Sequence, residues 1–206
     1  MIAEKWDLKL DVARLQQHLK EHVFDKEITQ QSEAFGGWSV LSPSGDYRDG
    51  WVMGHLLYEQ DTSPEKRKEL EKILAKKVSE YTIETEICTG YMQEVVELLR
   101  SYHLSPRRAR IIRLTAKAAC SWHFDTTPDK YLVRLHVPII TNPGCFFETR
   151  EEKDHLPADG SAYFIYVNRE HRVINYGIED RYHLVVDVTD EKGLTQYHRL
   201  ADFVPA

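Results

Sequence analysis

From Ala109 onward the chain breaks into short alternating runs, and this pattern restricts the fold more than any other feature. The runs are Arg110–Ala116, Tyr131–Ile139, Gly144–Thr149, Ser161–Val167, His171–Asn175 and Tyr182–Val188. Turn signals separate them: Thr127-Pro128-Asp129, Asn142-Pro143-Gly144, Ala158-Asp159-Gly160 and Tyr176-Gly177. Successive side chains of a strand point to opposite faces. In Tyr131–Ile139 this sets Leu132, Arg134, His136 and Pro138 on one face and Val133, Leu135, Val137 and Ile139 on the other. The apolar set is expected to pack against helices or a second sheet. The set with arginine and histidine is expected to face a polar cavity. Many short strands at close spacing point to a sandwich or jelly-roll barrel rather than βαβ units.

The first third reads as helical, with one interruption. Asp11 can N-cap a segment in which Val12, Leu15, Leu19 and Val23 share a face. Ser63-Pro64 opens a second helix, with Leu70, Ile73, Leu74 and Val78 at helical spacing. A third is expected over 87–102, with Tyr91, Val95, Leu98 and Leu99 inward. Between the first two, residues 36–51 (GGWSVLSPSGDYRDGW) read as a loop interleaved with short extended pieces. Its aromatic residues, Trp38 among them, can line a substrate mouth or form a minor core cluster. The expectation is one domain over 1–206, mainly β with N-terminal helices. A helical cover and substrate loop would occupy about 1–105 and a jelly-roll core about 106–190.

Composition removes several function classes. At 206 residues, 42% hydrophobic and 29% charged, the chain can build one sizeable core. No apolar run approaches the roughly 18 to 20 residues that span a bilayer. The start, MIAEKWDLKLD, lacks the apolar centre of a signal peptide, so no membrane and a cytoplasmic location are expected. The net charge is −6, and the densest basic cluster is Arg107, Arg108, Arg110 and Arg113, so no nucleic-acid partner is expected. The three cysteines, Cys88, Cys120 and Cys145, are widely spaced and form no CxxC, which disfavours a disulfide framework or a zinc-cysteine site.

The chemistry concentrates at His123-Phe124-Asp125, His171 and Arg181. An HxD alone is a common chance pattern. At a strand end, however, residues i and i+2 point the same way, so His123 and Asp125 can grip one ion. With His171 they make the 2-His-1-carboxylate facial set of non-haem Fe(II) oxygenases, which leaves positions open for co-substrate and O2. A guanidinium stays charged when buried and binds carboxylate in bidentate fashion, so Arg181 could anchor a dicarboxylate such as 2-oxoglutarate. Its alternative partner is an internal acid such as Asp187 or Glu179. Asn175 is a candidate for ordering the His171 segment.

The segment from Arg110 to Val188 resembles the aspartyl/asparaginyl β-hydroxylase-like family, which includes bacterial proline hydroxylases. The resemblance rests on an ordered set: His123, then Arg134-Leu135-His136, then Gly160. There follow His171-Arg172-Val173-Ile174-Asn175 and Arg181-Tyr182-His183-Leu184-Val185-Val186-Asp187. The stretch from Gly37 to Gly45 is also similar to the family's upstream segment. The resemblance implies a double-stranded β-helix (jelly-roll, cupin-like) core, Fe(II), and 2-oxoglutarate and O2 as co-substrates. By position, His123, Asp125 and His171 would ligate iron, Arg181 would bind the distal carboxylate, and Arg134 and His136 would contact the co-substrate. The founding animal branch has glycine where Asp125 stands. Asp125 therefore places the chain nearer the proline-hydroxylase-like branch and argues against a halogenase.

The implied activity is hydroxylation of an unactivated C–H by a 2-oxoglutarate-dependent dioxygenase. The implied substrate is an amino-acid-like small molecule, a carrier-bound residue or a peptide side chain. The short stretch from Thr189 to Ala206 leaves little room for the C-terminal helical domain of proline hydroxylases, so a more open pocket is expected. Arg113 and Lys117 could bind a substrate carboxylate or be surface charges. Trp122 could wall the pocket or sit in the core. His155 reads as solvent-exposed and His183 as structural, and nothing singles out Glu148. Two other readings share these residues: a cupin-like metal dioxygenase or isomerase that uses no 2-oxoglutarate, and a non-catalytic binding domain.

Overall fold

A computed structural model describes residues 3–49, 80–102, 104–125, 133–167 and 169–189. Twelve strands and two helices follow in chain order within them. They are β1 (Ala3–Lys9), α1 (Val12–His22), β2 (Thr29–Gln30), β3 (Phe35–Ser39), β4 (Leu41–Ser42), β5 (Ile83–Glu84) and α2 (Gly90–Ser101). Then come β6 (Ser105–Leu114), β7 (Val133–Ile140), β8 (Cys145–Glu148), β9 (Lys153–Asp154), β10 (Ser161–Tyr166), β11 (Arg172–Asn175) and β12 (Arg181–Thr189).

The strands form a double-stranded β-helix, or jelly roll. A seven-stranded antiparallel sheet runs β1-β10-β7-β12-β6-β3-β2, and a three-stranded sheet runs β11-β8-β9. Isolated bridges Ala119↔Ile174 and His123↔His171 lay the segment after β6 along β11, widening the smaller sheet. β4 and β5 pair separately.

Alternation along β7 divides the interior as the sequence pattern demands. Leu135, Val137 and Ile139 are fully buried on one face of the large sheet, with Ile111, Leu184 and Val186. There they meet Leu15 and Leu19 of α1 and Met92, Val95, Val96 and Leu99 of α2. The opposite face closes on the smaller sheet through a second cluster, which includes Phe35, Leu114, Phe147, Tyr163, Ile165 and Val173. Arg134 and His136 belong to that inner face, because Arg134 lies opposite Ile165 and His136 opposite Tyr163.

The helices arise where capping and spacing put them. The Asp11 side chain accepts from Arg14 N at 3.1 Å and caps α1. α2 begins at Gly90, three residues later than the spacing implied. Its innermost positions are Met92, Val95, Val96 and Leu99, while Tyr91 and Leu98 pack at the margin. The helix expected from Ser63-Pro64 and the Thr127-Pro128-Asp129 turn lie outside the described residues, as does the tail from residue 190.

Beside the two-residue strands β2, β5 and β9, β1 and β3 depart from the sequence reading. β1 is a strand of the large sheet, with Trp6 and Leu8 buried between exposed Lys5, Asp7 and Lys9. β3 is a strand in which every residue is buried, although its glycines resemble a loop. β3 lies between β2 and β6, covered on both faces, so its sequence carries no alternation to read. The N-terminal cover is thus part sheet and part helix.

Gly160 joins β1 to β10. Its φ is +85°, and an added Cβ would collide with the Leu10 carbonyl oxygen, while its own carbonyl accepts from Leu10 N at 2.8 Å. Gly160→Ala is expected to lower the unfolding free energy by about 1–3 kcal/mol, measured by urea denaturation, with the loss traced to the β1–β10 edge by amide exchange.

Candidate active site

Two histidines and one carboxylate meet where the smaller sheet accepts the segment after β6. His123 and His171 face each other as a hydrogen-bonded pair, with His123 N donating to His171 O at 3.0 Å and His171 N to His123 O at 2.9 Å. Their rings lie 4.5 Å apart, centre to centre. Asp125 N donates to Val167 O at 3.0 Å, which turns the carboxylate toward both rings. His123 Nε2 is 3.4 Å from Asp125 Oδ1, and His171 Nε2 is 3.9 Å from Asp125 Oδ2. The three ligand atoms lie within 4.8 Å of one another.

Both imidazoles are oriented in the same way. His123 Nδ1 donates to Ser121 O and His171 Nδ1 to Arg169 O, each at 2.8 Å, with the carbonyl two residues back. A proton held on Nδ1 presents the Nε2 lone pair, the tautomer a metal needs. Cys120 Sγ adds a contact to His123 Nδ1 at 3.9 Å.

The electrostatics suit a cation. Burial would raise the Asp125 carboxyl, but Arg134, His123 and His171 outweigh it and hold it well below the usual carboxylate range. Burial disfavours charge on His123, yet hydrogen bonds with Asp125 and Cys120 lift it to about 10, so at neutral pH Nε2 carries a second proton toward Asp125, which a metal ion would have to displace. Burial lowers His171. Two imidazoles and an ionised carboxylate in a largely buried cleft are the donor set of a divalent metal, and the residues fit Fe(II).

Arg181 occupies the same interior. It is 2% exposed, and its Nε has no hydrogen-bond partner among the described residues. Neither acid considered as its alternative partner reaches it: Asp187 pairs with Arg108 and Arg134, and among the described residues no ion pair joins Glu179 to Arg181. Burial pushes the guanidinium down to about 10, so it remains charged at neutral pH. It lies over the Phe147 ring at 5.7 Å. His136, which stacks edge-on against Phe147 at 5.0 Å, has a buried Nδ1 without a partner among the described residues. His183, 5.9 Å from His136, is 1% exposed with both ring nitrogens unsatisfied among the described residues. Three adjacent buried polar side chains with unmet hydrogen bonds make this interior a candidate ligand site. His183, read from sequence as structural, belongs to this group. Its place in the alternation with Arg181 on β12 was the available signal.

Asn175 orders the turn that delivers Arg181. Its side chain donates to Glu179 O at 2.8 Å and accepts from Gly177 N at 3.0 Å and Asn142 Nδ2 at 3.1 Å. The substrate candidates scatter. Trp38 is in the core rather than at a mouth: it is 4% exposed, its N–H donates to Lys26 O at 3.2 Å, and its ring stacks on Tyr182. Arg113 reaches Gln30 Oε1 at 3.0 Å and lies 3.9 Å from Asp180. Lys117 lines a cleft of about 990 Å³ bounded by residues 30–35 and 115–121. Trp122 is half-buried under the Arg150 and Arg172 guanidiniums, 4.0 and 4.8 Å from its ring centre. His155 is exposed, and Glu148 is spent on Arg172 at 2.7 Å.

The sequence profile of the family described as aspartyl/asparaginyl beta-hydroxylase matches residues 11–191. The chain belongs to that family. It is therefore an enzyme of the hydroxylase class. No curated protein sequence matches the chain significantly. Among solved structures, it is similar to a Trichoplax adhaerens prolyl hydroxylase crystallised with a hypoxia inducible factor peptide fragment. The identity there is 11%, coverage 93% of this chain and 85% of that one, and the TM-score 0.49. A viral collagen prolyl hydroxylase from Paramecium bursaria Chlorella virus-1 gives 12%, 90%, 96% and 0.47 in the same order. A Bordetella pertussis cupin domain gives 21% identity over 41% of this chain and 83% of that one, at 0.34. These values describe a loose likeness of architecture.

The unsatisfied polar groups make two predictions about the ligand-free protein. Arg181→Met is expected to raise its melting temperature, because a buried charge without a counter-ion is removed, and to abolish any thermal shift on adding 2-oxoglutarate. Burial holds His183 well below its ordinary value of 6.5. Its contribution to stability is thus complete above the unfolded value and is lost as pH falls, when the unfolded chain takes up the proton. His183→Leu should flatten unfolding free energy against pH between about 6.5 and 5, by up to about 1.4 kcal/mol per pH unit. Urea denaturation across that range measures it.

Proposed function

We propose that the protein is an Fe(II)- and 2-oxoglutarate-dependent oxygenase that hydroxylates an unactivated C–H of an amino-acid-like unit. The observation that carries this is the buried Arg181, charged and without a carboxylate partner among the described residues, in the interior that holds His123, Asp125 and His171. A metal enzyme that used no dicarboxylate would have no use for such a cation. Family membership supports the same reaction class.

In this reading His123, Asp125 and His171 hold iron, and Arg181 binds the distal carboxylate of 2-oxoglutarate. His136 and His183, both kept neutral by burial, offer the polar atoms that the rest of that co-substrate would meet. Arg134 adds positive charge beside Asp125. Bound iron supplies the oxygen chemistry, in which 2-oxoglutarate and O2 yield succinate and CO2 while the substrate C–H becomes C–OH. Phe147, Leu114 and Val173 keep the interior dry, which strengthens each electrostatic contact.

The cleft lined by Lys117 ends at Ser121, two residues before the first iron ligand. Its size suits a peptide or carrier-bound residue better than a free amino acid, with Lys117 available to an acidic group. Three buried free cysteines suit a reducing, cytoplasmic setting. Among the described residues no helix is long and apolar enough to cross a membrane.

The decisive test is succinate formation from 2-oxoglutarate with Fe(II), over a panel of peptides, carrier-bound residues and free amino acids. Iron-dependent succinate is expected from the wild type and only background from His123→Ala. Equal output from both would refute the reaction. A free amino acid as best substrate would refute the larger substrate alone.

A further inference from the structure

Asp125 does not stand alone behind the metal-binding histidines. Arg134 Nη1 donates to its Oδ2, while Oδ1 lies 3.4 Å from His123 Nε2. Oδ2 is therefore held by a guanidinium and lies 3.9 Å from His171 Nε2, while Oδ1 has no guanidinium contact and is the oxygen nearer a histidine nitrogen. Arg134 is itself pinned, since its Nε donates to Asp187 Oδ1 at 2.8 Å. Asp187 is fully buried, and its Oδ2 accepts from Arg108 Nε at 2.6 Å and lies 2.6 Å from Arg108 Nη2. Arg108, Asp187, Arg134 and Asp125 thus alternate in charge along one chain of contacts running from β6 through β12 and β7 to the metal-binding cleft.

One backbone irregularity serves this chain. Between the pairs Val185↔Arg110 and Asp187↔Arg107, β12 advances two residues and β6 three, so β6 bulges at Arg108 and Ala109, and bulges re-aim side chains. Arg108 has φ +40°, a left-handed conformation that costs a non-glycine residue free energy and persists only where surrounding contacts enforce it. The strained residue, Arg108, lies in the bulge and is the one that grips Asp187.

We propose that Asp187, held by Arg108, is a positioning residue for the metal: through Arg134 it keeps Asp125 a one-oxygen ligand and sets the charge beside the ion. This rests on the iron-binding reading above. Without Asp187, the Arg134 charge is left uncompensated next to a dication, and Asp125 is free to turn its second oxygen inward. Both changes weaken binding or alter coordination.

The test is titration of the metal-free full chain with Co(II), following its d–d absorption, for wild type, Asp187→Asn, Arg108→Met and Arg108→Lys. Asp187→Asn is expected to bind Co(II) about 10–100-fold more weakly, with a changed d–d spectrum. Arg108→Met should move the same way by less, and Arg108→Lys should restore part of the loss. Val188→Ala, fully buried on the same strand but facing the helices, controls for instability: it should lower the melting temperature and leave Co(II) affinity unchanged. Wild-type affinity and spectrum in both Asp187→Asn and Arg108→Met would overturn the proposal, as would an equal loss in Val188→Ala. If Asp187→Asn does not fold, the two Arg108 variants decide. A wild type that takes up no Co(II) would instead overturn the iron-binding reading beneath it.

Discussion

The site depends on a guanidinium shared between two buried carboxylates. Arg134 touches Asp125 with one nitrogen and Asp187 with another, and none of the three is well exposed. Burying these charges singly would cost several kcal/mol each, so the arrangement stands only because each charge faces an opposite one. That requirement fixes the neighbourhood. β7 must run between β10 and β12, the alternation of β12 must turn Asp187 inward, and β6 must bulge at Arg108, with a left-handed backbone there, to reach it.

Arg181 follows the contrary logic. Where Arg134 is fully matched, Arg181 is buried without a matching acid among the described residues, next to His136 and His183 with unmet nitrogens. The fold accepts an unfavourable state here that a dianion would relieve. The two arginines therefore differ in what they do. In the function proposed above, one holds a ligand of the metal in place and the other binds the co-substrate. The β11–β12 turn, tied by Asn175 and Asn142, sets the distance between His171 and Arg181.

Much of this was legible where the burial pattern leaves a periodic trace. The alternation in 131–139 identified the inner and outer faces of β7, and the spacing of Leu15 and Leu19 identified α1. The ordered set of His123, Arg134, His136, His171 and Arg181 pointed to the family and its donor set. What escaped did so for physical reasons. β3 is covered on both faces, so nothing alternates, and its glycines imitate a loop. Trp38 carries no sign of which surface it meets, and the sheet claims it for the core. β1 does alternate, with Trp6 and Leu8 between charges, but so short and charged a run has no partner strand nearby in the chain to mark it as sheet.

The sequence by itself determined the candidate ligand types, their order, and a strand-rich barrel able to bring them together. Local periodicity and residue chemistry act over a few positions, and those are written in the chain. Only the tertiary structure decided which acid each arginine would meet. Asp187 was one of two candidate partners for Arg181, and it serves Arg134 and Arg108 instead. That choice turns on strand register and a single bulge, which are set by long-range pairing and leave no mark in any short stretch of residues.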